Sequence, residues 1–306
     1  MNGSKITIIG SGYVGAAIGY ALTYIENIDK IILIDLQLQA SEGEALDINH
    51  GISEISTTEV EVGTYEDCKD SDIIIITAGK NRKPGQARKD LLEENREIID
   101  EIMGHLKEVY QNSFVILVSN PVDLLTEFVA KQKLIPENQL CGTGCMLDTS
   151  RWISEIAKYL GIKNNQITAY AVGEHGTDQH VLWSLVTVDG MRIEDYCRKQ
   201  QIIWNNTIKN QLHEIVTNMG AEIIKKKGKT QYGIATVVAY LVKILLNEEN
   251  KLVSVGTTLG SSDMTVCSRL VYMGKKQIWL AEDVLLLKEE ECYLKKCNTE
   301  GKKRKL

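Results

Sequence analysis

Five short segments of the 306-residue chain concentrate residue types that can grip anions or move protons. Gly10–Gly15 reads GSGYVG, a G-x-G-x-x-G run, and Thr77–Arg88 reads TAGKNRKPGQAR, a punctuated stretch with arginines at 82 and 88. Ser119–Asp123 is SNPVD, Gly142–Arg151 is GTGCMLDTSR, and Gly173–Gly176 is GEHG. An imidazole such as His175 changes charge near neutral pH and suits proton exchange with a hydroxyl group. A carboxylate behind the ring, for which Asp148 is the candidate, would fix its tautomer and stabilise the imidazolium. A planar guanidinium is the natural fork for a carboxylate. Arg151 follows Asp148 by three positions, so on a helix the two share one face and address one cleft.

Each residue alone also has a plain structural reading. A single histidine is usually structural, although His175 sits in a glycine-flanked loop. Asp148 and Arg151 could form an ordinary surface pair at i,i+3. Arg82 and Arg88 could be two solvated loop charges. His50, His105, His180 and His213 are read as structural or surface groups. A metal pair of His175 with His180 lacks a third ligand at sensible spacing, so no metal is expected.

The segments fall where a layered fold would place them. Lys5–Gly10, Lys30–Asp35, Glu59–Gly63, Asp72–Ala78, Phe114–Ser119 and Leu140–Gly142 read as strands, with helical patterns such as Tyr13–Tyr24 and Asp90–Tyr110 between them. Runs apolar on both faces and separated by helices predict buried parallel strands in a doubly wound α/β sheet. The second half predicts helices at Leu147–Leu160, Ile193–Asn218 and Tyr232–Leu246. Strands are predicted there at Ile167–Val172, Val181–Val188, Leu252–Leu259 and Val266–Tyr272. Two domains, 1–143 and 144–306, are expected to pack closely around a cleft.

The glycine run follows a strand and opens a helix, the context in which it binds a dinucleotide pyrophosphate. The second strand ends in Asp35, twenty residues after Gly15, where a carboxylate can accept from ribose hydroxyls. Asp35 would repel a 2′-phosphate, and Leu36 and Gln37 supply no arginine to bind one, so the expected cofactor is NAD. A formal charge of −6 gives no reason to expect a nucleic-acid partner. The longest apolar run, around Ile73–Ile76, is strand-sized, so no membrane span is expected. Seven scattered cysteines without C-x-x-C spacing, and no signal-peptide pattern at Met1–Lys5, fit reduced thiols and a cytoplasmic address.

Taken together, the segments resemble the NAD-dependent lactate/malate dehydrogenase family, in order from about residue 4 to 275. The resemblance implies a Rossmann-type nucleotide-binding domain followed by an α+β catalytic domain. It implies that His175 and Asp148 form the proton-transfer pair and that Arg151 binds the substrate carboxylate. Arg88 would polarise the reacting carbonyl from a closing loop. Asn120 would contact substrate and position the nicotinamide, and Thr230 would line the substrate pocket. The implied cofactor set is Gly10, Gly12, Tyr13, Val14, Gly15, Asp35, Thr77, Ala78, Gly79 and Asn120. Gly142–Gly144, Glu174, Trp183 and the run Lys229–Ile234 resemble the L-lactate branch.

The position that reads the substrate side chain is Arg82, where lactate-type members typically have glutamine and malate-type members arginine. An arginine closed into a dry pocket wants an anion, and leaving it unpaired costs several kcal/mol. The expected activity is therefore reversible hydride transfer between NADH and a 2-oxo acid such as pyruvate, on a lactate-type scaffold. The alternative is oxaloacetate reduction through Arg82. A rival of another class, a catalytically silent NAD-binding protein, would be expected to have lost His175, Arg88 or Arg151. Members activated by fructose 1,6-bisphosphate have a basic residue and a histidine where this chain has Ile153 and Thr168, so no such activation is expected. The resemblance also implies a homodimer or homotetramer. It thins after residue 275, and the family's loop closure involves packing near the C-terminal helix, here around Glu289–Lys296.

Overall fold

A computed structural model of the chain describes residues 3–80, 88–176 and 178–299. The first half alternates strand and helix: β1 (Ser4–Ile9), α1 (Tyr13–Leu22), β2 (Ile28–Ile34), α2 (Leu38–Ile52), β3 (Glu59–Val62), β4 (Ile73–Ile76), α3 (Arg88–Val109), β5 (Phe114–Leu117), α4 (Val122–Lys131) and β6 (Leu140–Gly142). These six strands pair in the order β3-β2-β1-β4-β5-β6, all parallel.

The four isoleucines of β4 show why an unbroken apolar run belongs at the centre of such a sheet. All four are fully buried. Ile73 and Ile75 point into the core that includes α1 and α2, while Ile74 and Ile76 point into the core beneath α3 and α4. Period-two alternation in a strand covered on both faces requires this split. Each such side chain contributes about 1.5–3 kcal/mol of burial.

The second half continues as α5 (Met146–Leu160), β7 (Ile167–Thr168), β8 (Ala171–Gly173), β9 (Gln179–Val181), β10 (Thr187–Val188), β11 (Met191–Arg192), α6 (Ile193–Gln200), α7 (Asn206–Lys227), α8 (Tyr232–Leu246), β12 (Lys251–Thr257), β13 (Cys267–Gly274), β14 (Gln277–Leu280) and α9 (Lys288–Thr299). The large sheet does not stop at the junction of the two halves. β12 joins β6 antiparallel at Gly256 opposite Gly142, and β13, β8 and β9 follow. β7, β10 and β11 form a separate antiparallel sheet.

Three expected elements are subdivided. The single helix expected over 193–218 breaks into α6 and α7, because Gln201 turns the chain at a φ of 57° and Asn205 caps the restart by accepting the Ile208 N–H at 3.1 Å. The strand expected over 167–172 is divided between the two sheets as β7 and β8. The 181–188 strand is interrupted by a 3-10 turn at Trp183–Leu185. The division of the 167–172 strand shows sheet pairing overriding a local pattern.

Candidate active site

The glycine run lies between β1 and α1, as its spacing requires. Gly10 has a φ of 99°, and a Cβ there would come within 2.5 Å of the Ala78 amide nitrogen. A Cβ at Gly15 would approach the Gly10 carbonyl oxygen to 1.8 Å. At Gly12 a Cβ would meet nothing of the protein within 4 Å, so this backbone faces open space. No side chain caps α1 and no acid sits in its first turn, which leaves its N–H donors and dipole to a ligand.

Asp35 both supports the glycine turn and faces the cleft. Its carboxylate accepts the Ser11 and Gln37 backbone N–H groups at 2.8 and 3.0 Å, bracing the turn, and it still lines the cleft. A carboxylate has about four acceptor sites, so ribose hydroxyls can be accommodated as well. All of Gly10, Gly12, Tyr13, Val14, Gly15, Asp35, Thr77, Ala78 and Gly79 line one cleft of about 760 Å³. The close glycine contacts, the open face at Gly12 and the strand-end carboxylate fit a dinucleotide.

A second cleft, of about 410 Å³, contains Asn120, Asp148, Arg151, His175 and Thr230. Helix α5 carries Asp148 and Arg151 into it, and the loop after β8 carries His175. Asp148 is fully buried. Its Oδ2 meets His175 Nδ1 at 2.7 Å, and its Oδ1 accepts from an Arg151 guanidinium N–H at 3.0 Å. The surface-pair reading of Asp148 and Arg151 therefore fails, because the carboxylate is out of water and shared with the imidazole. Desolvation opposes the charged ring, but the Asp148 hydrogen bond and charge, helped by Asp123, outweigh it and raise the His175 pKa above its ordinary 6.5. Val14, Thr77, Gly79, Lys80, Ile224 and Thr230 line both clefts, so the two are continuous.

Arg82 lies outside the described residues, as does the side chain of Arg88, although Arg88 opens α3. From the Lys229–Ile234 run, Lys229, Thr230 and Ile234 line the clefts. Trp183 instead packs edge-on against Trp152 and Trp204, at 5.4 and 5.6 Å between ring centres.

Three supporting residues escaped the sequence reading. Buried Asp123, in the first turn of α4, accepts the His175 backbone N–H at 2.8 Å. Buried Asn95 on α3 exchanges hydrogen bonds with the backbone of Lys80 and donates to the Asn120 carbonyl at 2.6 Å, tying together the loops after β4 and β5. Gly220 on α7 lies beside the Arg151 guanidinium, which a Cβ there would meet at an ordinary contact distance of 3.4 Å. Asp123 sits inside the SNPVD segment and was open to suspicion. Nothing near Asn95 or Gly220 in the chain distinguishes them.

Two family models match in sequence order. The NAD-binding domain of lactate/malate dehydrogenases covers residues 4–142, and the α/β C-terminal domain of the same enzymes covers 145–305. The L-lactate dehydrogenase of Acetivibrio thermocellus is 34% identical over 255 residues, spanning 83% of this chain and 80% of its own length. That of Clostridium botulinum (strain Loch Maree) is 33% identical over 279 residues, 91% and 85% of the two chains. Among solved structures, the minor L-lactate dehydrogenase of Enterococcus mundtii in a ligand-bound form superposes with a TM-score of 0.91 at 31% identity, covering 99% of this chain and 97% of the other. A lactate dehydrogenase from a deep-sea metagenome library gives the same TM-score at 28% identity, covering 99% and 98%. With both halves of the fold and the order of the site segments in agreement, the chain belongs to the lactate/malate dehydrogenase family.

Proposed function

We propose that this NAD-dependent dehydrogenase is L-lactate dehydrogenase-like and interconverts pyruvate-type 2-oxo acids with their L-2-hydroxy acids. The observation that carries the reading is the buried Asp148 gripping His175 and Arg151 at once, at the edge of a small cleft continuous with the dinucleotide cleft. NADH, when bound, supplies the hydride. Arg151 presents its remaining guanidinium donors to the substrate carboxylate and so orients the 2-oxo group. With Nδ1 engaged by Asp148, His175 keeps Nε2 for the substrate oxygen and delivers a proton there as the carbonyl is reduced. In the oxidising direction the same nitrogen takes the hydroxyl proton. Asp148 stabilises the imidazolium in both directions, and Arg88 is assigned to polarising the carbonyl.

Relatives named as L-lactate dehydrogenases support the monocarboxylic substrate. The residue type at Arg82 supports admission of dicarboxylic 2-oxo acids as well. Measuring kcat/KM for pyruvate and oxaloacetate by NADH consumption ranks the two. Pyruvate is expected to be turned over, and Arg82→Gln is expected to lower kcat/KM for oxaloacetate. Oxaloacetate turnover untouched by that substitution would remove Arg82 from substrate selection, and absence of turnover on either acid would overturn the reading.

Self-association as a homodimer or homotetramer is part of the same reading, checked by light scattering on the purified protein. A cytoplasmic location is proposed too, supported by seven unbridged cysteines of which five are buried. Among the described residues no helix is long and apolar enough to cross a membrane.

A further inference from the structure

Lys229 belongs to neither the glycine motif nor the proton-transfer set, yet its ammonium group reaches the mouth of the nucleotide turn. Helix α7 ends in Lys225, Lys226 and Lys227 and stops at Gly228, where a φ of 82° swings the chain into a direction rarely open to other residues. That turn carries Lys229 back toward α1. Its Nζ stands 2.9 Å from the centre of the Tyr13 ring, and both residues line the 760 Å³ cleft. Tyr13 directly follows Gly12, is the first residue of α1 and is 62% exposed. Packing of α8 against α1 holds this junction of the two halves together.

The charges of the cleft single Lys229 out. The described lining residues include two carboxylates, Asp35 and Glu101, and two lysines, Lys80 and Lys229. Lys80 is paired with Glu94 at 3.2 Å. Lys229 lies on a tyrosine face instead, and no ion pair involving it is found among the described residues. An ammonium group on a ring face keeps its full charge and holds it with a weaker partner than an anion would be. A dinucleotide brings two negative charges to the Gly12 turn, where α1 contributes only N–H groups and its dipole.

We propose that Lys229 is a diphosphate-binding residue of the cofactor site, reaching the GSGYVG turn from the opposite wall of the cleft. The second half of the chain thereby contributes a cation to a cleft whose glycine turn and strand-end carboxylate come from the first half. With the cleft empty, Tyr13 parks the ammonium; with a dinucleotide bound, the diphosphate takes it. The proposal rests on the dehydrogenase reading and adds a residue to it.

The test compares wild type, Lys229→Met and Lys229→Arg by calorimetric or fluorescence titration with NADH, ADP-ribose and adenosine. Lys229→Met is expected to bind NADH and ADP-ribose about tenfold more weakly, the scale of one hydrogen bond to a charged group. Adenosine, which lacks the diphosphate, is expected to bind all three proteins alike, and Lys229→Arg is expected to restore NADH affinity. The difference between wild type and Lys229→Met should shrink as salt rises. Equal ADP-ribose affinity in wild type and Lys229→Met, or an equal loss with adenosine, would overturn the proposal. Should Lys229→Met not fold, Lys229→Gln gives the same comparison. Failure of the wild type to bind NADH would instead sink the dehydrogenase reading and the proposal with it, so the two failures are distinguishable.

Discussion

At the scale of single residues, the proposed mechanism makes the rate in each direction depend on the protonation of His175. Reduction of a 2-oxo acid needs the imidazolium, and the raised pKa keeps that form populated above the ordinary value of 6.5. The rate of reduction is therefore expected to fall as pH rises through this raised pKa, while oxidation of the hydroxy acid rises over the same interval. Asp148→Asn removes the charge and the charge-assisted hydrogen bond that raise the pKa, leaving only Asp123 to set against desolvation. The reduction limb should then move to lower pH, and kcat should drop by about 10²–10⁴, the range for a misoriented proton donor. Steady-state pH profiles of the two proteins check both points. Arg151→Lys keeps a positive charge but loses the planar fork. KM for pyruvate is expected to rise about tenfold to a hundredfold.

At the scale of elements, the site depends on braces between loops far apart in the chain. Asn95 holds the loops after β4 and β5 together through three hydrogen bonds and is almost wholly buried. Asn95→Ala leaves buried backbone groups unpaired at a cost of about 1–3 kcal/mol. Since both loops line the clefts, KM for NADH and for the 2-oxo acid should rise together, which calorimetry and initial rates will show. The thinning resemblance after residue 275 made α9 the hardest element to interpret, and the structure gives it a definite task. Tyr293 on α9 donates its hydroxyl to the Asp178 carbonyl just past the His175 loop, and Glu290 accepts both the N–H and the hydroxyl of Ser184. Contacts spanning over one hundred residues leave no local periodicity to read.

At the scale of the whole molecule, the two halves share one sheet. β6 of the first half pairs with β12 of the second, and α1 lies along α8 across the same junction. Separate unfolding of the halves would break that sheet and expose a common core that includes Ile8, Val238 and Val255. A single denaturant transition is therefore expected. All four tryptophans lie in the second half, so their fluorescence reports that half while far-UV circular dichroism reports the whole. Coincident curves support one cooperative unit, and two separated midpoints would refute it.

The amino-acid sequence by itself determined the parallel α/β architecture and the nucleotide turn, and it pointed to the side chains proposed to react. These are local signals: apolar runs, glycine spacing, and the position of Asp35, Asp148 and His175 relative to strand ends. Tertiary structure alone decided that Asp148 is buried, that it serves both Arg151 and His175, and that Asp123 holds the histidine backbone. It alone joined the two clefts and set Lys229 on Tyr13. The reason is distance along the chain. Asp148 and His175 are 27 positions apart and Asp123 and His175 are 52 apart, so only the folded layers bring them within hydrogen-bonding reach.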